Sequence, residues 1–428
     1  MASHPMVQAF QARAEPMLRA AAVFSTYIGP GFLVAVGYMD PGNWATGLQA
    51  GSQYGYTLLY VIFVANVVAV FLQGLAIRLG IVTGLDLAQA SRRFFPKWVN
   101  LPLYVMAELA VVATDLAEVV GSAIAINLLT GLSLPWGVAL TALDTLFVLA
   151  FYTESRFRYI ECLIAILVLA IGVCFLILVM QSNPVWTDVL LGFIPQSLSF
   201  VSDRGQLELT LAIVGATVMP HSLILGSSLC KSRDRQAANA EHRKLANDYI
   251  TMQSKTPAAI DTLALSSTSL VMSYTDNIFS LTFALFINSA ILIVAAATFS
   301  ATGEQVDELK DAHALLVRHL GKAMGVVFAV ALLFAGSAST ITGTLAGTIV
   351  MDGFLGTSIS RHVPPWLRRL ITRLVVIMPA MAVAITQGDR GTNQLLVTSQ
   401  VILSIQLPFT VIPLVWYVAQ SHIMSVQF

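Results

Sequence analysis

This sequence predicts an all-α, multi-spanning membrane protein built from two inverted five-helix halves, on three observations. Of its 428 residues 57% are hydrophobic and only 11% charged, with a mean hydropathy of +0.78, where soluble domains carry about 25% charged residues. Apolar stretches near the roughly 20 residues needed to cross a bilayer fall at 22–44, 56–79, 101–129, 135–152, 160–181, 208–230, 277–299, 321–350, 368–386 and 393–419. Cutting the chain at the long connector 182–207 leaves five spans on each side, and two halves of odd span number must insert with opposite orientations.

The basic residues test this count, because Lys and Arg collect in cytoplasmic connectors. Arg13 and Arg19 precede span one, Arg78, Arg92, Arg93 and Lys97 follow span two, and Arg156 and Arg158 follow span four. Six more lie between spans six and seven, and Arg361, Arg368, Arg369 and Arg373 stand at the entry to span nine. Eighteen of the 23 thus share one side, leaving Arg204, Lys310, Arg318, Lys322 and Arg390 on the other. Both termini are therefore expected in the cytoplasm. The expected organisation is a cytoplasmic segment 1–21, a first repeat 22–181, an external connector 182–207, a second repeat 208–419 with a cytoplasmic loop 231–276, and a tail 420–428. The acidic stretch holding Glu304, Asp307, Glu308 and Asp311 is expected to face outward. Equal numbers of acidic and basic residues give no global field for nucleic acid. Cys162, Cys174 and Cys230 lack metal-site or redox-pair spacing and read as packing. No cleavage-like site precedes the first apolar run, so no signal peptide is expected.

Span one is interrupted by "GYMDPGNWATG" at residues 37–47. Pro41 lacks an N–H and clashes with the preceding turn, at about 3 kcal/mol or more, and Gly42 weakens the helix further. Unwound backbone at membrane depth is tolerated where it lines protein or a cavity, and its free carbonyls are cation ligands. Asp40 adds a charge that costs roughly 2.5–3.5 kcal/mol at mid-span and so needs a partner or a function; Asn43 adds a neutral oxygen. Span two carries the amides Asn66 and Gln73, which read as helix glue. Span three carries Glu108, Asp115 and Glu118 at offsets of seven and three, on one helical face. Burial and mutual repulsion there favour groups that take up and release protons. Asp144 in span four has no evident partner and is assigned no role.

Span six, the first of the second half, is interrupted by "GATVMPHSL". Pro220 frees nearby carbonyls, with Ala216 a candidate, and Met219 brings a thioether. Hard Mg²⁺ and Ca²⁺ gain little from sulfur, whereas Mn²⁺, Fe²⁺ and later divalent ions accept a mixed O/S site. A methionine in a span is ordinarily packing filler; its place at the matched break points to transition metals. His221, alone among the histidines inside a span, is able to titrate beside a cation site. Span seven carries Asn288, and Gly343 and Gly347 in span eight read as close helix packing. Arg368 and Arg369 at the start of span nine either snorkel to the interface or act as counter-charges. Gln400 sits in span ten. No Walker, hydrolytic-triad or zincin motif is present, so no enzyme is expected.

The stretches "GPGFLVAVGYMDPGN", "ATDLAE", "GATVMPHSL", "GTLAG" and "TSQVILSIQLPF" with "LVWYVAQ" together resemble the natural resistance-associated macrophage protein (Nramp) family of proton-coupled divalent metal transporters, over nearly the whole chain. The resemblance implies a LeuT-like five-plus-five inverted repeat with helices 1 and 6 broken at the midplane. It implies metal ligation by Asp40, Asn43, Met219 and the Ala216 carbonyl, with Gly37 in some states and a conformation-dependent Gln400. It also implies a proton-linked network of Asp115, Glu118, Glu108, His221, Arg368 and Arg369. No resident cofactor is expected; Mn²⁺ or Fe²⁺ is cargo, with H⁺ carried alongside, and the partners are these ions and the lipid bilayer. "HSLILGSSL" and the long connector after span six look more like the fungal branch than the bacterial one. Many relatives continue into an eleventh or twelfth helix, whereas this chain ends soon after its tenth span, and the five-plus-five core is expected to be complete. Two other readings are a sodium-coupled amino-acid or amine symporter of the same fold and a non-transporting membrane metal sensor.

Overall fold

The computed structural model describes residues 29–151, 157–195, 203–234, 262–300, 308–356 and 365–424, with Gly303 and Val306. The first span is two helices, α1 (Pro30–Gly37) and α2 (Pro41–Tyr54). α1 stops in a tight turn, the Tyr38 and Met39 N–H groups reaching back three residues to the Ala35 and Val36 carbonyls, both at 3.0 Å. Asp40 is extended (φ −65°, ψ 165°), as steric pressure from the following proline requires. Pro41 then opens α2 at the one position where a missing N–H costs nothing.

The rest of the first half is α3 (Leu59–Thr83), α4 (Leu87–Phe94), α5 (Lys97–Thr130), α6 (Leu134–Phe151) and α7 (Phe157–Ser182). A short α8 (Trp186–Gly192) lies in the connector. The second half opens with α9 (Arg204–Thr217), a break at Val218 and Met219, and α10 (220–234). α11 (Thr262–Thr298), α12 (Leu309–Leu320), α13 (Lys322–Leu355), α14 (Pro365–Thr386), α15 (Gly388–Ala419) and α16 (Ser421–Met424) complete the chain. Among the described residues seven helical stretches are long and apolar enough to cross a bilayer, Arg204–Asp234 counted as one. The broken α1/α2 pair, α6 and α14 occupy the other positions at which the sequence predicts spans.

Apolar side chains face outward as well as inward. Phe63, Val67 and Phe71 on α3, Ile166, Leu169 and Val173 on α7, and Ile405 and Ile412 on α15 are exposed, a continuous apolar surface that suits lipid rather than water. Inside, α5 packs against α13 and α15, α2 and α1 against α11, and α9 against α15. The first broken span therefore sits among α5, α11, α13 and α15, while α9 of the second packs on α15, α2 and α3.

The structure shortens the expected loop 231–276: α10 continues to residue 234 and α11 begins at Thr262. The hydroxyl-rich stretch before residue 277 is helical, and a hydroxyl can be satisfied on the helix itself: Thr275 Oγ1 donates to the Val271 carbonyl at 2.8 Å. Asp276 is buried in α11 and accepts from the Gly31 N–H at 2.7 Å, pinning the start of α1. Arg233 at the end of α10 donates to both Glu161 oxygens on α7 at 2.7 Å. Residues 1–21, the basic residues of 235–261, Glu304, Asp307 and the tail 425–428 lie outside the described residues, as do the side chains of Asp144 and Arg158.

Candidate functional site

Asp40 caps α2 and is fully buried. Its Oδ1 accepts from the Asn43 N–H at 2.9 Å and from Asn43 Nδ2 at 2.8 Å. Its Oδ2 has no hydrogen-bond partner among the described residues. The same Asn43 Nδ2 donates to the Ala216 carbonyl at 2.9 Å, so one carboxamide bridges the two breaks across 173 residues of sequence. The Met39 carbonyl, which would take the Asn43 N–H in an unbroken helix, is held by the Trp44 indole at 3.2 Å.

Met219 is fully buried beside Ala110 and Ala113 of α5 and Leu403 of α15. Gly37 approaches it closely; a Cβ built there would stand 3.8 Å from Met219 Sδ. Gln400 is fully buried on α15. Its Nε2 contacts Ser399 Oγ at 3.2 Å while its Oε1 has no partner among the described residues. Its carboxamide lies against Gly42, where any side chain would collide with it. Gly42 thus does two things: it opens the helix and admits Gln400.

The sequence-predicted ligands Gly37, Asp40, Asn43, Ala216, Met219 and Gln400 are therefore assembled at the two breaks. A buried acceptor without a donor is costly, and here two acceptor oxygens, a carbonyl and a thioether are gathered with no basic side chain bonded to any of them among the described residues. Such a donor set offers a cation both hard oxygen and soft sulfur. Among the described residues there is no cluster of three His, Cys, Asp or Glu side chains able to hold a metal. The set differs from a resident zinc-type centre, and its single carboxylate suits a cation that is to be released.

A second polar cluster lies on the α5 face. Asp115 and Glu118 are fully buried. Arg373 of α14 is almost fully buried too, its Nη1 3.7 Å from Asp115 Oδ1 and 3.5 Å from Glu118 Oε2. Ser339 of α13 donates to Glu118 Oε1 at 2.8 Å, and Arg373 Nη2 is 3.5 Å from Thr340 Oγ1. His221 joins the two clusters: its Nδ1 is 3.3 Å from Thr114 Oγ1, next in sequence to Asp115. The Thr114 hydroxyl also bonds the Ala110 carbonyl, at 3.0 Å.

Three of the expected network members sit elsewhere or cannot be placed. Glu108 is half-buried, two turns and about 10 Å along α5 from Asp115. The Arg368 and Arg369 side chains lie outside the described residues, and the guanidinium in contact with the acids is that of Arg373. The sequence reading counted Arg373 as one more cytoplasmic charge. The signal for it was its depth, four residues past Arg369 on the same face and followed directly by Leu374, Val375 and Val376.

The model of the family described as natural resistance-associated macrophage protein-like matches residues 31–427. A divalent metal cation transporter MntH from Brucella suis is 48% identical over 403 residues, covering 94% of this chain and 82% of that protein. One from Nostoc is 47% identical over 401 residues, covering 93% and 84%. Among solved structures, a manganese transporter from Eremococcus coleocola superposes with a TM-score of 0.77 at 34% identity, covering 95% of this chain and 81% of that one. A nucleobase-cation-symport-1 family transporter in a closed conformation superposes with a TM-score of 0.55 at 14% identity, covering 83% and 72%, a likeness of fold. These relatives are bacterial, and the expected fungal leaning finds no support among them.

Proposed function

The chain belongs to the natural resistance-associated macrophage protein (Nramp) family, and from that premise we propose how it works on its substrate. It is a multi-pass integral membrane protein and a secondary transporter of divalent metal ions, with a LeuT-like fold, and is not an enzyme. The proposal is that it carries Mn²⁺ or Fe²⁺ into the cytosol by symport with protons, both termini lying in the cytoplasm as the distribution of Lys and Arg favours. The two halves, 22–181 and 208–419, act as the inverted repeats that exchange access around the breaks. On subfamily, we read the chain with its bacterial relatives and set the fungal leaning aside.

The observation that carries the metal reading is the donor set at the breaks. Asn43 Nδ2 lies between Asp40 Oδ1 and the Ala216 carbonyl, the two acceptors a cation would bridge. The amide group thus stands in for positive charge, and turning the carboxamide about would present its oxygen to the metal instead. Asp40 Oδ2, Gln400 Oε1 and Met219 Sδ supply further donors. A substrate carboxylate would meet the buried Asp40 with no cation bonded to it among the described residues, which argues against the amino-acid symporter.

Proton coupling follows from the second cluster. His221 stands two residues after Met219 of the second break, and its contact with Thr114 leads to Asp115, Glu118 and Arg373. The α5 acids and Arg373 form the polar route along which the proton leaves. Proteoliposomes carrying a metal-sensitive and a pH-sensitive dye test both parts. Mn²⁺ influx accompanied by lumenal acidification, and accelerated by an inward proton gradient, is expected. Mn²⁺ flux indifferent to the gradient would remove the coupling, and metal binding without flux would leave the sensor reading.

A further inference from the structure

The structure assigns Ser222 to the metal site as an oxygen donor that offsets the softness of Met219, an inference that rests on the metal-transport reading above. Ser222 is buried in the first turn of α10, three residues after Met219 and so on the same face. Its backbone N–H donates to the Met219 carbonyl at 3.1 Å, which fixes the two residues relative to each other. Its hydroxyl is turned to the first break: a Cβ built on Gly37 would stand 2.6 Å from Ser222 Oγ and 3.8 Å from Met219 Sδ. Gly37 is thus the wall that hydroxyl and thioether share, and its lack of a side chain lets both approach the end of α1.

A buried serine in a helix ordinarily returns its hydroxyl to a carbonyl three or four residues back. Ser227 on the same helix does so, donating to Ile224 at 2.7 Å, and Ser91 on α4 does so to Leu87 at 3.0 Å. Ser222 has no such bond among the described residues, so its lone pairs remain available beside Met219. A neutral hydroxyl is a hard donor, suited to Mn²⁺ either directly or through a metal-bound water, whereas Cd²⁺ gains most from sulfur. Met219 therefore rejects the hardest ions while Ser222 keeps the site from favouring the softest.

The test is calorimetric binding of Mn²⁺ and of Cd²⁺ to the full-length protein, with uptake of both metals in proteoliposomes, for wild type, Ser222→Ala, Ser222→Cys and Asp40→Ala. Ser222→Ala is expected to weaken Mn²⁺ binding about three- to tenfold, the range of one lost polar contact, and to leave Cd²⁺ within about twofold. Ser222→Cys, nearly isosteric and so insensitive to a folding defect in the alanine variant, is expected to move the Mn²⁺/Cd²⁺ ratio further toward Cd²⁺. Unchanged Mn²⁺ affinity and ratio in both variants, or an equal loss for both metals, would overturn the assignment. If wild type itself binds no Mn²⁺, the transport reading fails; if wild type binds and Asp40→Ala does not, while Ser222→Ala matches wild type, only the role of Ser222 fails.

Discussion

The two buried polar clusters lie side by side and are compensated in opposite ways. At the helix breaks a fully buried carboxylate is met only by amide donors, leaving Asp40 Oδ2 and Gln400 Oε1 without a hydrogen bond among the described residues. On the α5 face two fully buried carboxylates share a guanidinium at 3.5–3.7 Å and a serine hydroxyl at 2.8 Å. Among the described residues no protein cation bonds to the first cluster, as the proposal that it takes one from outside requires. The second holds a cation of its own in Arg373, which fits the proposed proton route rather than a second metal site. Removing an acid should therefore have opposite consequences for stability in the two places.

The largest effect is expected from Arg373→Ala, which strands two buried acids. Breaking a buried pair in this way costs about 3–5 kcal/mol, to be read from thermal unfolding in detergent. Adding Asp115→Asn and Glu118→Gln should restore much of that loss; no recovery would mean Arg373 acts through packing and would blur the contrast between the clusters. Next in size, Met219→Ala should reduce discrimination of Mn²⁺ over Ca²⁺ by about tenfold, since the remaining donors are hard. Competition of Ca²⁺ with Mn²⁺ uptake measures it, and an unchanged ratio would assign Met219 to packing.

A smaller effect concerns the outer helix α12. His313 packs on Phe328 at 6.4 Å, and Phe328 on Trp44, the neighbour of Asn43, at 5.4 Å. Burial holds the His313 pKa below the ordinary 6.5. The folded chain thus prefers the neutral ring: its contribution is present above the unfolded pKa and is lost as pH falls through that value toward the lowered one. Wild type should lose stability on acidification below about pH 6.5 relative to His313→Phe, and parallel pH profiles of the two melting curves would contradict this. The smallest effect is expected at the exposed Lys310–Asp389 pair, 2.8 Å apart. Lys310→Ala should change stability by no more than about 1 kcal/mol, as for other surface pairs; a larger loss would show that ion pairing matters outside the buried clusters too.

Both breaks were legible in the sequence because proline and polar residues inside an apolar run have few structural excuses. Asp40, Asn43 and Met219 stand out for that reason, and the fold class follows from the spacing of the runs and the sides on which Lys and Arg collect. Gly37 and Gln400 came only from family likeness, since a glycine's or a lone amide's value lies in what approaches it. Arg373 was missed because a basic residue near a span entry reads as a snorkelling cation, and its burial depends on how α14 packs on α5 and α13. Asp276 was placed in a loop because Ser and Thr lower the hydropathy of 262–276, although a hydroxyl such as that of Thr275 bonds within the helix. The amphipathic α4, capped by Asp86, was passed over because its residues read as a basic connector. Ser222 drew no notice at all, since its significance is that its hydroxyl stays uncommitted.

The contrast between the two clusters is tested most directly by thermal unfolding of the full-length wild type and Asp40→Asn, each with and without Mn²⁺. A site built for an external cation predicts that Mn²⁺ raises the wild-type melting temperature. It further predicts that metal-free Asp40→Asn melts at or above metal-free wild type, and that Mn²⁺ leaves the variant unmoved. A metal-free variant that melts clearly below wild type, or one that Mn²⁺ still stabilises fully, would contradict the account.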